Sequence, residues 1–147
     1  MKKLFSLVFI LTSLSFVFEG CTKSSDVVPS SMTAKLSGSP TVWTAQQCNI
    51  TVSDKGVNIL GYINTPKPVY SSISIQLPLK PVIGTYPISA TGGYTTAFYS
   101  HDITPVPAAY GTVTFSSVTP YLTGTFSMTL QDSSTITNGS FNIKTPY

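Results

Sequence analysis

"YGTVTFSSVTPYLTGTFSMTL", Tyr110–Leu130, carries the alternation that decides the fold. In its first half Val113 and Phe115 fall on one side of an extended chain while Thr112, Thr114 and Ser116 fall on the other, because successive side chains of a strand point to opposite faces. The second half repeats the pattern, with Leu122, Phe126, Met128 and Leu130 inward and Thr123, Thr125, Ser127 and Thr129 outward. Thr119 and Pro120 separate the halves, so the stretch reads as an antiparallel hairpin with one buried face and one wet face.

Working outward, "TITNGSFNIK" changes phase: Ile136 is even, whereas Phe141 and Ile143 are odd. One residue must be absorbed between them. A bulge at Asn138 and Gly139, both tolerant of positive φ, is preferred to a tight turn, because the flanking pieces are short for separate strands. Upstream, Ile73, Ile75 and Leu77 alternate with Ser72, Ser74 and Gln76, which predicts another strand with a wet face. "KGVNILGYIN" is apolar on both faces, Val57, Ile59 and Ile63 against Leu60 and Tyr62, and is expected to be covered twice. The punctuation "SGSP", "SDKG", "NTPKP", "LPLKP", "TGG", "TPVPAA", "VTP" and "QDSS" recurs at intervals suited to short strands. No convincing helix follows Phe18. The fold class is therefore all-β, an antiparallel β-sandwich or a flattened, lipocalin-like barrel, whose interior is either filled by side chains or kept as a ligand cavity.

The front of the chain has a different character. Residues 1–20 have the form of a signal peptide, with Lys2 and Lys3 before an apolar run from Leu4 to Phe18 that is too short for a comfortable span. Gly20 followed by Cys21 resembles a bacterial lipobox, with Phe18 and Glu19 where such signals usually carry Leu and then Ser or Ala. That resemblance implies cleavage before Cys21 and its lipidation. A disulfide from Cys21 to Cys48 is the competing reading; if Cys21 is lipidated, Cys48 is most simply a small buried hydrophobe. Residues 21–31 then form a lipidated cysteine with a flexible tether, and residues 32–147 a single all-β domain. The expected location is the cell envelope, lipid-anchored to the outer membrane. Asp26 alone follows the cysteine as an acidic residue, which leaves the periplasmic and the surface face both open.

"MTAKLSGSPTVWTA", "GTY" at Gly84–Tyr86, "GTVTFSSV", "LTGTFSMTL" and "ITNGSF" at Ile136–Phe141 occur in this order over most of the chain after the tether. In that order and spacing the chain resembles small lipoproteins of the Bacteroidota type built on a domain of unknown function. The resemblance implies a lipid-anchored, exported all-β domain and carries no activity with it.

Composition narrows the chemistry. The chain has no arginine and its lysines are scattered singly, which argues against nucleic acid. After the signal the acidic residues are Asp26, Asp54, Asp102 and Asp132, with no glutamate, so a carboxylate pair for glycoside hydrolysis is hard to assemble. His101 is the single histidine. Asp102 is an awkward partner for it, because adjacent side chains point apart on an extended chain, and no nucleophile elbow or zinc-type ligand set accompanies them. His101 is read as a solvated loop residue, and no cofactor is expected. Of the aromatic set, Trp43, Tyr62, Tyr70, Tyr86, Tyr94, Phe98, Tyr99, Tyr110 and Tyr121, many should fill or rim the core. Tyr94 and Tyr99, in "TGGYTTAFYSHD", are the candidate platform for a glycan, peptide or apolar ligand. The expected role is a non-catalytic binding or structural domain; the alternative is a lipocalin-like carrier of an apolar ligand.

Overall fold

A computed structural model describes residues 28–54, 56–64, 70–91, 95–102 and 104–146. They form ten strands and no helix: β1 (Ser31–Leu36), β2 (Val42–Thr44), β3 (Gln47–Ser53), β4 (Gly56–Asn64), β5 (Tyr70–Leu77), β6 (Gly84–Ser89), β7 (Thr96–His101), β8 (Thr104–Ser117), β9 (Tyr121–Leu130) and β10 (Thr135–Lys144). All pair antiparallel in one strongly curled, half-barrel sheet of order β2-β1-β10-β9-β8-β7-β5-β4-β3, with β6 pairing with β8 alongside.

The β8–β9 hairpin lies where the alternation places it, with Val113, Phe115, Leu122, Phe126, Met128 and Leu130 all buried. β10 is one strand with a register shift between Ile136 and Gly139, the expected bulge. Only Asn138 takes the left-handed conformation there, at φ 50°. Gly139 serves a different purpose: a Cβ on it would lie 2.6 Å from Phe126 ring atoms. The reason is reciprocal cross-strand pairing, in which Phe126 of β9 faces Gly139 of β10 and Phe141 of β10 faces Gly124 of β9. Each ring lies over a position without a side chain. The row extends further as Gly84, Phe115, Gly124, Phe141 and Met32 on β6, β8, β9, β10 and β1. Alternating large and small residues let the concave face of a tightly curled sheet be filled without overlap. The rings pack on one another, with Phe115 and Phe141 centroids 5.5 Å apart and Phe126 and Phe141 6.3 Å apart.

Two corners create the curl. β8, 14 residues long, gives its first residues, Thr104–Pro107, to β7 and the remainder to β9 and β6, with a register shift between Ala108 and Tyr110 where it bends. "TPVPAA" is therefore not the turn that its prolines suggest. Pro105 and Pro107 pair with β7 on one side, while the β9 ladder ends opposite Ala108 and beyond it only Gln131 N–H reaches across, to Pro107 C=O, so a missing N–H is tolerated there. At the other corner the chain runs directly from β2, on β1, to β3, on β4. Ala45 N–H donates to Met32 C=O and Gln46 N–H to Tyr62 C=O, so two consecutive residues tie the opposite ends of the strand order together. Across the interior the buried Trp43 indole N–H donates to Ser71 Oγ at 2.7 Å, clamping β2 to β5.

Two sequence expectations for the outer face need correction. Ser72 is buried, not wet, between its neighbours Tyr62 and Ser100. β4 is not covered twice: Leu60 and Tyr62 are only half-buried, because the sheet closes over one interior and adds no second layer outside it. Elsewhere the outer face carries a row of hydroxyls, Thr85, Thr114, Thr125, Ser140, Thr33 and Thr44, across six strands. Thr85 with Thr114 and Thr33 with Ser140 share hydrogen bonds of 2.9 Å each.

Candidate functional site

β7 carries its inner face out of the core: Ala97 is buried, Tyr99 half-buried and His101 exposed, at alternate positions of one strand. Where the face emerges, an open cleft of about 480 Å³ forms between it and two loops from across the curl, Ser37–Pro40 after β1 and Ser134–Ile136 at the start of β10. These walls are held by their own hydrogen bonds. Ser37 N–H donates to Thr135 C=O at 2.8 Å and Thr135 N–H to Ser37 Oγ at 3.0 Å. Asp132 accepts from Ser134 Oγ at 2.6 Å and from Ser134 N–H at 2.9 Å, which lowers its carboxyl pKa. Leu130 and Ile136 line the apolar part of the cleft.

His101 is solvated, as expected, but it stands at the end of a strand, paired with Ser71 and Thr104, rather than in a loop, and it is not alone. Asp102 adopts φ 50°, which turns its side chain back so that Oδ2 lies 3.1 Å from His101 Nδ1. The argument that adjacent side chains diverge holds for an extended backbone, and Asp102 is not extended. Both side chains are about half exposed, at 55% and 51%, so the pair is solvent-screened and its attraction is weak. The Tyr99 hydroxyl pKa is raised, chiefly by burial and secondarily by the negative charge of Asp102. The cleft thus presents a neutral phenol ring, an imidazole and fixed hydroxyls, a surface for stacking and hydrogen bonding.

Cys21 and Tyr94 lie outside the described residues. Tyr99 is where a platform needs it, at the cleft. Cys48 is a free thiol, half-buried on β3, with its pKa raised by burial; it packs against the core as a hydrophobe. Trp43 and Tyr86 serve the core, while Tyr110 is 64% exposed beside a second cleft, which Ile88, Met128 and Thr129 also line. The cleft walls at Ser37–Pro40 and Ser134–Ile136 are site residues that sequence reasoning missed. "SGSP" and "QDSS" mark them as turns, but only the β1–β10 pairing brings them to one place. Among the described residues no three metal-ligating side chains gather. No family model, curated protein or solved structure matches the chain.

Proposed function

We propose that the protein is a lipid-anchored domain of the cell envelope, held to the outer membrane through Cys21, that binds at its surface or supports an assembly there without catalysing a reaction. The observation that carries the binding part is the filled interior. Phe115, Phe126 and Met128 are buried inside the curl, and the cleft at Tyr99 opens to solvent where the inner face of β7 emerges from the core. That arrangement favours a surface ligand over the carrier alternative, which needs an apolar cavity within the sheet. The His101–Asp102 pair faces solvent, whereas acid–base pairs gain most where water is excluded, which favours recognition over chemistry. A neutral, hydroxyl-bearing ligand such as a glycan, or a peptide, suits the ring and hydroxyls of the cleft.

The anchoring part rests on the Gly20–Cys21 junction and on β1 beginning at Ser31, which leaves a short tether between lipid and sheet. Intact mass spectrometry of the membrane-extracted protein should show a chain that starts at Cys21 and carries added acyl mass. Cys21→Ser should release the domain or leave an uncleaved precursor; a cleaved Cys21→Ser protein still in the membrane fraction would end the lipobox reading.

A further inference from the structure

Between β5 and β6 the chain runs through "PLKPVI", Pro78–Ile83, and exposes three large aliphatic side chains there: Leu79 at 75%, Val82 at 66% and Ile83 at 67%. These are not the loose ends of a mobile loop. Tyr86 packs edge-on against the core ring of Phe115, at 5.5 Å. Its hydroxyl accepts from Val82 N–H at 2.9 Å and donates to Val82 C=O at 3.1 Å. Pro81 is buried beneath. The loop is therefore pinned from below with its aliphatic side chains held outward, and both backbone polar groups of Val82 are satisfied from within the protein. Entry into a lipid interface is favoured by both properties, apolar side chains outside and, at Val82, backbone groups that no longer call for water, while the exposed Lys80 beside them suits the headgroup level.

The register places this tip on the tether's side of the domain. Gly84, Phe115, Gly124, Phe141 and Met32 lie on one row, and both Ile83 and Ser31 fall one residue beyond it toward the same end of the sheet. Four strand spacings separate them, at most roughly 20 Å. The tether from Cys21 to Ser31 spans at most about 35 Å when extended, so it allows the tip to touch the surface in which the lipid sits. We propose that the Pro78–Ile83 tip inserts into the lipid interface as a second, non-covalent contact that fixes the orientation of the tethered domain. The proposal rests on the anchor at Cys21, because the tether is what brings this end to the bilayer.

The test uses the mature lipoprotein reconstituted into vesicles of phosphatidylethanolamine and phosphatidylglycerol, with Cys48→Ser removing the native thiol. An environment-sensitive fluorophore is placed in turn through Leu79→Cys, Val82→Cys and Ile83→Cys. Gln131→Cys, at the opposite end of β9, serves as the control. Tip labels should shift to the blue and be quenched by lipids carrying a nitroxide on the acyl chain, while the control label stays water-exposed. Tip labels that remain as open to a soluble quencher as the control would overturn the proposal. Shielding that grows with protein density, with no quenching by lipid, would overturn it in favour of self-association. Intact mass of the same samples reports acylation at Cys21 independently, so failure of the anchor and failure of the tip are read apart.

Discussion

Gly139 shows how one position can combine two demands. It follows Asn138, which takes the positive φ of the bulge, and it lies beneath the ring of Phe126. Gly139→Ala should cost about 1 to 3 kcal/mol in urea unfolding, as overpacking does, whereas Asn138→Gly should stay within about 0.5 kcal/mol because its backbone geometry suits glycine. Tyr99 gives a residue-scale test of the cleft. Its raised pKa means that folding favours the neutral phenol, so its contribution to stability is full below the ordinary tyrosine pKa and is lost as pH rises through the raised one. Asp102→Asn should move the Tyr99 midpoint, followed by phenolate absorbance, downward only part of the way, since burial is the larger cause. A midpoint unmoved by Asp102→Asn would mean that the carboxylate does not act on the ring. The left-handed backbone of Asp102 was not legible in "YSHDITP", because nothing in four polar or small residues fixes φ; the tyrosine was legible by its neighbourhood of glycines and loop residues.

Among the elements, the β8–β9 hairpin was the most readable. Its inner and outer faces differ in hydropathy at every step, and a one-residue slip would expose Phe126 and bury Thr125. Phe126→Ala is expected to cost about 3 to 5 kcal/mol and Thr125→Ala less than about 1 kcal/mol; equal shifts in chemical denaturation would contradict the facing. The bulge in β10 was readable for the same reason, from the parity change between Ile136 and Phe141. β8 was misread at its start because proline is normally a strand breaker, and only knowledge that the β9 ladder stops opposite Ala108 reveals that no ladder there calls on the proline nitrogens. "GTF" at Gly124–Phe126 and "GSF" at Gly139–Phe141 carried more than alternation: antiparallel pairing of two such triplets sets each ring over the other's glycine.

At the scale of the whole molecule the deciding features are contacts between distant parts of the chain, and these left little trace in local pattern. Ser71 is an example, since it reads as one more strand serine yet receives the Trp43 indole N–H across the interior. Ser71→Ala should leave that buried donor unsatisfied and cost about 1 to 3 kcal/mol, whereas Ser74→Ala, at a half-buried outer position, should cost less; urea titrations of the two variants make the comparison. The closure through Ala45 and Gln46 was likewise illegible, because two ordinary residues between two short strands say nothing about which edges those strands join. The candidate cleft inherits this dependence, with Tyr99 readable in advance and its walls not.

The pairing of β1 with β10 has a consequence in time. The first strand of the sheet finds its long partner only in the last, with Ser31 opposite Asn142. A chain emerging N-terminus first therefore delivers β1 long before the strand that completes it. Until β10 arrives, β1 has only the three-residue β2 beside it, and long-range pairing of this kind is slow to begin with. That side of the sheet therefore stays open until β10 is present to close it.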